Sequence, residues 1–408
     1  MKYVIIGNSA AGIGAVERIR QTDRQGEIII ITNEPHHTYS RPLISYFLRK
    51  TITKEKMKYR GDSFYADNNV DVIHASATGI DEKNKQVILS DNSRVSYDKL
   101  LAATGSSALV PPFQGIDNVK NKFTFISLDD AQKIEMNLGG DKSVLIIGAG
   151  LIGLKCAEGI LNRVSQITVI DLAPRILSSV LDEAGAKIIQ KHLESNGIEF
   201  MLSTGVKRFE EHAAILENGD KIDFDLLVFA VGVRPNISLL DGIAKIDRGI
   251  VINKKSETTS PNIYAAGDCT QTVDVSSGQN KIMALLPNAY MQGECAGINM
   301  AGGVKSFDKA IPMNAIGLCG RHIITAGNYT GGVYSETADG IYKRLFYSDN
   351  KLNGYILIGN VEKAGIYTNL IRERTPLDSI DFALVCKSPG LMAFAKEDRK
   401  VKLGGKVG

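Results

Sequence analysis

Two segments of the chain repeat one pattern, a buried strand that is followed by a glycine-rich turn and the start of a helix. The first reads YVIIGNSAAGIGAVERI from residue 3, and the second reads VLIIGAGLIGLKCAEGI from residue 144. A further apolar run follows each, EIIIIT and QITVI, and completes a βαβ unit. Such continuous β-branched runs are typical of parallel strands that are covered on both faces. The sequence therefore predicts α/β architecture with two doubly wound, Rossmann-like domains.

The turns of the two copies carry small residues at the spacing of a dinucleotide-binding fingerprint. The second copy has all three glycines, Gly148, Gly150 and Gly153, whereas the first has Gly7, Ser9 and Gly12. In this fingerprint the first glycine makes the tight turn, the second lets the backbone approach a pyrophosphate, and the third lets the helix pack on the strand. The helix starts should then face the phosphates, so we add to the binding residues Ala10, Ala11, Leu151 and Ile152.

An acidic residue follows the second strand of each copy, Glu34 in the first and Asp171 in the second. This is the offset at which a carboxylate accepts hydrogen bonds from ribose hydroxyls. A glycine turn alone could be a helix start packed close to a strand, but two turns with two matching acids favour two dinucleotide sites. Asp171 would repel a 2′-phosphate, which favours NAD over NADP, although Arg175 lies near enough in sequence to moderate that preference.

The composition limits the other classes of function. The 408 residues carry a net charge of +3, which argues against nucleic acid or an anionic membrane as the main partner. The five cysteines are scattered without a CxxC pair, so we predict no metal site, cluster or redox dithiol. No signal peptide or membrane-spanning run stands out, and we expect a cytoplasmic protein.

Three further stretches carry a resemblance to a known family. YDKLLAATGSSALVPP, from residue 97, and SPNIYAAGDCT, from residue 260, resemble the crossover and the second flavin-binding motif of the FAD/NAD(P)H pyridine nucleotide oxidoreductases. EPHHTYSRPLISYFL and the later PMNAIGLCG and AGIYTNLIRERTPL resemble the subgroup of NADH:rubredoxin oxidoreductases and nitrite reductase flavin domains. The resemblance implies that the first copy holds FAD and that an inserted second copy holds NAD(H).

The same resemblance implies a domain plan like that of glutathione reductase. We expect residues 1–110 and 242–310 to form the FAD-binding domain and residues 111–241 to form the NAD-binding domain. From residue 311 to residue 408 the sequence pattern changes to that of short strands and a helix, which predicts a small α+β domain and a tail.

The resemblance also implies roles for individual residues. Asp268 and its neighbour Gly267 would bind the flavin ribitol, and Thr104 and Gly105 would line the crossover close to FAD. Further cofactor contacts are expected from Arg41 and Pro42 at the pyrophosphate, Asn288 and Ala289 at the start of a helix that points at the flavin, and Gly232 on the nucleotide side.

One expected feature of the family is missing. Disulfide reductases and NADH oxidases of this family place a cysteine on the helix after the first acid, but residues 39–50 contain none. We therefore expect hydride transfer from NADH to FAD and single-electron transfer to an iron protein such as rubredoxin or ferredoxin. The alternatives are an NADH-oxidising flavoprotein subunit of a larger iron–sulfur oxidoreductase complex and, with less support, an NADH oxidase or peroxide reductase.

Two residues depart from the family together. Relatives commonly carry a lysine close to flavin N5 and a glutamate that pairs with it from the nucleotide turn, whereas this chain has Tyr46 and Lys155 at those positions. We expect Lys155 to supply the positive charge from the other domain, with Tyr46 beside it. The alternative is that Lys155 extends into solvent. We expect the histidines to be structural, with the adjacent pair His36 and His37 on the surface.

Overall fold

The two repeated segments form βαβ units in the computed structural model, which describes residues 1–338, 340–395 and 399. Short 3-10 turns interrupt the chain at Arg41–Leu43, Lys54–Met57, Ile116–Asn118, Ser238–Leu240, Leu377–Ser379 and Leu391–Ala393. The elements that precede the crossover are β1 (Lys2–Ile6), α1 (Ala10–Thr22), β2 (Glu27–Thr32), α2 (Ile44–Leu48), α3 (Phe64–Asp67), β3 (Val70–His74), β4 (Ala77–Asp81), β5 (Gln86–Leu89), β6 (Arg94–Ser96), β7 (Lys99–Ala102) and β8 (Ser106–Ala108).

The second repeat and the return segment supply the next elements. Those of the repeat are β9 (Lys122–Thr124), α4 (Leu128–Asn137), β10 (Ser143–Ile147), α5 (Leu151–Ile160), β11 (Gln166–Ile170), α6 (Glu183–Glu194), β12 (Ile198–Met201), β13 (Val206–Glu210), β14 (Ala213–Leu216), β15 (Lys221–Asp223), β16 (Leu226–Phe229) and β17 (Val233–Pro235). Those of the return are β18 (Ile250–Val251), β19 (Ile263–Ala265), β20 (Thr270–Val273), β21 (Asn280–Ile282) and α7 (Leu286–Met300).

Two parallel sheets form the frame for both turns. The first has the strand order β19-β7-β1-β2-β3, and the second has the order β12-β11-β10-β16-β9. All neighbouring strands in both sheets run parallel. Both central strands are buried because helices and antiparallel ribbons cover the two faces of each sheet. The predicted fold class is therefore confirmed.

The stretch after the first βαβ unit is only partly the antiparallel meander that its turn signals indicate. β4, β5 and β6 do form an antiparallel ribbon. β3 and β7, which flank the ribbon in sequence, pair instead with β2 and β1 in the parallel sheet. Their short apolar runs have no period that distinguishes the two kinds of sheet, so their parallel pairing becomes visible only in three dimensions.

The chain divides into two compact units. One contains residues 1–272 and 282–307, and therefore both parallel sheets; the other contains residues 273–281 and those from 308 onward. The predicted bounds at residues 110, 241 and 310 remain predictions. Within the described residues, no helix is both long and apolar enough to cross a bilayer.

The second unit is an α+β domain, as predicted. Its antiparallel sheet has the order β22-β23-β26-β25-β24, and a helical segment packs its apolar side on one face of that sheet. The elements are β22 (Met313–Leu318), β23 (Arg321–Gly327), β24 (Gly332–Ala338), β25 (Ile341–Ser348), β26 (Lys351–Ile358), α8 (Ala364–Arg372) and α9 (Phe382–Lys387). Apart from Arg399, the tail from residue 396 lies outside the described residues.

Candidate dinucleotide sites

The first glycine turn is fixed by close backbone contacts. Gly7 follows β1 with φ +122°, and a Cβ added there would overlap the carbonyl oxygen of Ala103. A Cβ on Gly12 would overlap the carbonyl oxygen of Gly7. Since both obstacles are backbone atoms, which cannot swing aside as the end of a side chain can, both positions require glycine. The turn thus brings α1 onto the end of β1, as the fingerprint predicts.

The start of α1 leaves backbone donors for a ligand. Ser9 precedes the helix and makes no side-chain cap, and no acidic residue lies in the first turn. The first intrahelical bond joins the Ile13 amide to the Ser9 carbonyl at 3.0 Å. The amides of Ala10, Ala11 and Gly12 therefore have no helical acceptor, and with the helix dipole they suit a pyrophosphate.

Glu34 lies just beyond β2 and is held by side chains. The Tyr39 hydroxyl donates to Glu34 Oε2 at 2.6 Å, and the Arg41 guanidinium donates to Oε1. Arg41 also donates to the Ile126 carbonyl at 3.1 Å. Pro42 is exposed beside it in the 3-10 turn. The structure therefore brings together the ribose acid and the arginine that the sequence assigned to the pyrophosphate.

Asp268 lies at the end of the crossover strands. The Ser106 hydroxyl donates to Asp268 Oδ2 at 3.3 Å. Burial raises the pKa of the Asp268 carboxyl above its ordinary value, although the Ser106 hydrogen bond and the Arg41 charge oppose this. The site therefore favours a neighbour that can donate to Asp268, which a ribitol hydroxyl could do.

The crossover itself is closed by reciprocal hydrogen bonds. The Thr104 hydroxyl donates to the Asn236 carbonyl at 2.6 Å, and the Asn236 side chain donates to the Thr104 carbonyl at 2.9 Å. Gly105 has φ +66° and Gly232 has φ +119°, and a Cβ on either would meet nothing within 4 Å. These residues therefore connect the two sheets and leave open space beside the crossover.

The start of α7 meets the start of α1. Gly267 has φ +85°, and a Cβ there would lie 3.3 Å from the Ala11 methyl and 3.6 Å from the Ala289 methyl. The Gly267 amide donates to the buried Gln292 side chain at 2.7 Å. Asn288, in the first turn of α7, is almost fully buried. The structure thus gathers the predicted residues of α1, the AAGD turn and α7 around one location.

The second turn repeats the backbone design of the first. Gly148 follows β10 with φ +113°, and a Cβ on Gly153 would overlap the Gly148 carbonyl oxygen. At Gly150, by contrast, a Cβ would meet nothing within 4 Å. The Leu154 amide makes the first helical bond, to the Gly150 carbonyl, so the amides of Leu151, Ile152 and Gly153 have no helical acceptor. This end of α5 also suits a pyrophosphate.

Asp171 is held by the backbone. Its Oδ2 accepts from the Ala149 amide at 2.7 Å and its Oδ1 accepts from the Ala173 amide at 2.8 Å. Arg175 lies near the same loop and donates to the Ser178 carbonyl at 3.2 Å, while its buried Nε has no partner. The carboxylate therefore lies within hydrogen-bonding distance of the glycine turn, where a ribose would bind.

Tyr46 and Lys155 meet where α2 packs on α5. The Lys155 ammonium lies 4.6 Å from the centre of the Tyr46 ring. It also pairs with Glu158, whose Oε1 lies 3.4 Å from Arg49 Nη1. Glu158 is buried, with 7% of its side chain exposed, and Lys155 shows 18%. The alternative, in which Lys155 extends into solvent, is not what the structure shows, because the ring and the carboxylate hold its charged end. Its predicted position beside the flavin stays a prediction.

Sequence reasoning did not predict the buried polar side chains beside the first turn. It also placed His36 and His37 wrongly. His36 and His37 are partly buried rather than on the surface. His36 Nε2 lies 2.6 Å from Asp129 Oδ1, which joins the first sheet's loop to α4. His37 Nε2 and Thr38 Oγ1 are buried without a partner. Such orphaned polar atoms beside a phosphate-binding turn fit a site that a polar cofactor completes.

Comparison with known proteins places the chain in a family. Residues 1–293 match the family model described as pyridine nucleotide-disulphide oxidoreductase, and residues 319–375 match the rubredoxin NAD+ reductase C-terminal domain. The chain is 32% identical over 391 residues to the NADH-dependent phenylglyoxylate dehydrogenase subunit epsilon of Aromatoleum evansii, and the match covers 92% of each chain.

Two further proteins extend the comparison. The NADH-rubredoxin oxidoreductase of Clostridium acetobutylicum is 29% identical over 366 residues, which cover 88% of this chain and 91% of that protein. The reductase in the crystal structure of the covalent putidaredoxin reductase–putidaredoxin complex superposes with a TM-score of 0.87 over 100% of this chain and 99% of that one. Its identity is 22%, so this likeness concerns the fold.

The matches agree with the geometry of the two turns and confirm the predicted family, the oxidoreductase class and the cofactor pair of FAD with NAD(H). The chain belongs to the pyridine nucleotide-disulphide oxidoreductase family.

Proposed function

We propose that this protein is an NADH-dependent flavoprotein that passes electrons to an iron or iron–sulfur protein. The observation that carries the proposal lies in α2, which packs against α5 and carries no cysteine, whereas disulfide-using relatives place a thiol in this part of the chain. The five cysteines lie outside this helix, and no disulfide joins any of them among the described residues. Electrons that arrive here have no neighbouring disulfide to reduce, so an external acceptor is the natural exit.

The cofactor is assigned to the first turn. The amides of Ala10, Ala11 and Gly12 and the Arg41 guanidinium would hold its pyrophosphate, and Asp268 would accept from its ribitol. Glu34 would accept from a ribose hydroxyl. When bound, FAD accepts a hydride from NADH and passes electrons on one at a time, which links a two-electron donor to a one-electron acceptor.

NADH is assigned to the second turn. The amides at the start of α5 would hold its pyrophosphate, and Asp171 would accept from the ribose of its adenosine half. A 2′-phosphate would bring negative charge close to the Asp171 carboxylate, so the site should prefer NADH to NADPH. Arg175 donates to the Ser178 carbonyl, so one of its amino groups is already engaged within its own loop.

Lys155 is assigned an electrostatic role at the contact between α2 and α5. Its ammonium lies over the Tyr46 ring, an arrangement worth about 0.5–2 kcal/mol depending on exposure. A fixed positive charge at this contact would favour negative charge that develops on a nearby reduced cofactor. Glu158 moderates that charge, and Arg49 adds a second cation on the far side of the carboxylate.

The test is anaerobic stopped-flow spectroscopy of the purified yellow protein. NADH should bleach the flavin absorbance, and oxidised rubredoxin should then restore it while its own absorbance falls. A flavin that NADH leaves oxidised would contradict the proposal. A reduced flavin that reacts with oxygen but with neither rubredoxin nor ferredoxin would support an oxidase instead.

A second candidate function follows from one comparison. The phenylglyoxylate dehydrogenase relative is named as a subunit, and the match covers nearly the full length of both chains. This chain would then be the NADH-oxidising subunit of an iron–sulfur oxidoreductase complex. Size-exclusion chromatography of the native protein decides between the two, because co-elution with cluster-bearing chains supports the subunit and elution alone supports the independent reductase.

We also propose a cytoplasmic location. Within the described residues none of the five cysteines forms a disulfide, and four of them are buried. Free thiols fit a reducing compartment. Fractionation of the native cells with antibody detection tests this, and recovery in an exported fraction would contradict it.

A further inference from the structure

The segment that follows α2 is strongly basic. Between residues 49 and 58 it carries five basic side chains and one acidic side chain, Glu55. This local excess is larger than the net charge of +3 on the whole chain. We call this segment the basic ridge, which consists of Arg49, Lys50, Lys54, Lys56 and Lys58.

The side chains of the ridge are available to a partner. All five are exposed. Arg49 contacts Glu158, and Lys58 pairs with Asp62. In the described part of the chain, Lys50, Lys54 and Lys56 form no ion pair. Glu55 offsets part of the charge of Lys54 and Lys58, and the remaining excess raises the local positive potential at the surface.

The ridge is held rigidly at both ends. At its start, Arg163, which follows α5, donates to the Leu48 carbonyl at 2.7 Å, at the end of α2. At its end, the Ser40 amide donates to the Met57 carbonyl at 2.8 Å and the Tyr59 amide donates to the Thr38 carbonyl at 2.9 Å. Met57 is fully buried beneath the 3-10 turn that displays Lys54 and Lys56. The ridge is thus a fixed surface and not a loose loop.

The ridge begins at the edge of the site proposed for electron transfer. Arg49 and Lys155 contact the two oxygens of one carboxylate, that of Glu158, and the Lys155 ammonium lies over Tyr46. A protein that binds the ridge would therefore lie against α2. This position suits an acceptor that must approach the reducing cofactor.

We propose that the basic ridge is the docking surface for the electron acceptor, a small iron or iron–sulfur protein with an acidic face. The inference rests on the proposed function and names where the partner of that function binds. Complementary charge accelerates encounter and sets orientation more than it adds affinity, and its effect weakens with salt. The ridge should therefore govern the rate with a protein acceptor and leave the chemistry with NADH unchanged.

The test compares charge-reversed proteins with a matched control. The ridge variant is Lys50→Glu, Lys54→Glu and Lys56→Glu, and a milder version carries Gln at the same three positions in case the first folds poorly. The control carries Lys83→Glu, Lys85→Glu and Lys187→Glu, which are also exposed and change the net charge equally. Each holoprotein is assayed with NADH and either menadione, a small neutral acceptor, or a rubredoxin of negative net charge.

We expect the ridge variant to lose about tenfold or more in kcat/KM for rubredoxin at low salt, and the Gln version to lose less. The loss should shrink at high salt, and the control should differ little from the unmodified protein. Rates with menadione should stay within twofold in all variants.

Equal rubredoxin kinetics in the ridge and control variants would overturn the docking surface while leaving the proposed function intact. The same holds if the ridge variant loses only its sedimentation with phosphatidylglycerol vesicles, which would identify a membrane surface instead. An unmodified protein that reduces menadione but neither rubredoxin nor ferredoxin would contradict both proposals.

Discussion

The two dinucleotide turns share one backbone design but differ in how their acids are held. Side chains hold Glu34 at the first turn, through Tyr39 and Arg41. Backbone amides hold Asp171 at the second. Side-chain partners can rotate toward a ligand and enclose it, whereas backbone partners keep the acid in place whether or not a ligand is bound. The first arrangement suits a cofactor that stays, and the second suits a nucleotide that exchanges.

The two turns also differ in how closely other elements pack over them. Helix α7 crosses α1 so closely that a Cβ on Gly293 would overlap the Ala11 carbonyl oxygen. At the second turn Gly150 borders open space. The crossing helix restricts access to the first turn, while the second remains open on that side. We propose that what packs above each turn makes the first a resident site and the second an exchanging site.

The largest effects are expected from blocking each turn separately. Gly12→Val and Gly153→Val place a branched side chain against the carbonyl oxygen of Gly7 or Gly148. Because overpacking against backbone costs about 1–3 kcal/mol or more, each turn should be displaced. Gly12→Val should lose flavin, and Gly153→Val should remain yellow but resist bleaching by NADH. Flavin absorbance and anaerobic NADH titration measure both, and equal flavin loss in the two variants would break the distinction between the turns.

The second-largest effect is expected from changing the charge of Lys155 or Glu158 at the contact between α2 and α5. Lys155→Met removes the cation over Tyr46, so the flavin potential should fall and the rate of reduction by NADH should drop about tenfold. Glu158→Gln removes the opposing charge and should shift the potential upward. Lys187→Met, on the exposed face of α6, is the matched control. Redox titration reports the shift, and an unchanged potential in both site variants would contradict the role of Lys155.

A smaller change in nucleotide preference and flavin retention is expected from substituting the two acids, Asp171 and Glu34. Asp171→Asn leaves one acceptor oxygen where two amides need a partner, which costs about 1–3 kcal/mol. The kcat/KM ratio of NADH to NADPH should fall about tenfold or more. Glu34→Gln is the counterpart at the first turn and should weaken flavin retention with little change in that ratio. Steady-state kinetics with both nucleotides decides, and an unchanged ratio in Asp171→Asn would contradict the ribose assignment.

The smallest change is expected at Cys156, which is fully buried in α5. Burial raises the pKa of its thiol far above the ordinary value, so it stays protonated and unreactive at neutral pH. Cys156→Ala should lower the free energy of unfolding by about 1–2 kcal/mol through the small cavity it leaves. Reduction of menadione by NADH should be unaffected. A large loss of this activity with the fold intact would return a thiol to the mechanism.

The sequence indicates the local features of both sites and not the contacts between them. The glycine spacing, the acids at residues 34 and 171 and the parallel strands of the two βαβ units follow from short-range patterns. The Tyr39 hydroxyl links Glu34 to the Leu128 amide of α4 across the sheets, at 3.0 Å from that amide. Such a pair depends on how the two sheets dock, which no local pattern encodes. Glu158 pairs with Lys155 within α5, but its contact with Arg49, which follows α2, depends on the same docking.

The roles of Arg41, Asp268 and the start of α7 came from family resemblance and not from pattern. Arg41 contacts Glu34, and its charge acts on Asp268, so the structure groups residues that are far apart in the chain. We expected His36 and His37 on the surface because adjacent polar residues after a strand usually face water. That expectation was wrong. Here the docking of α4 provides a partner for His36.

The most direct test of the account follows electrons from NADH to a protein acceptor in the absence of oxygen. The yellow protein is mixed with NADH and oxidised rubredoxin, and the flavin and rubredoxin absorbances are followed together, with NADPH in a parallel experiment. The account predicts rapid bleaching with NADH, slow bleaching with NADPH, and rubredoxin reduction at two equivalents per NADH. A flavin that stays oxidised, or that bleaches equally fast with both nucleotides and leaves rubredoxin oxidised, would contradict it.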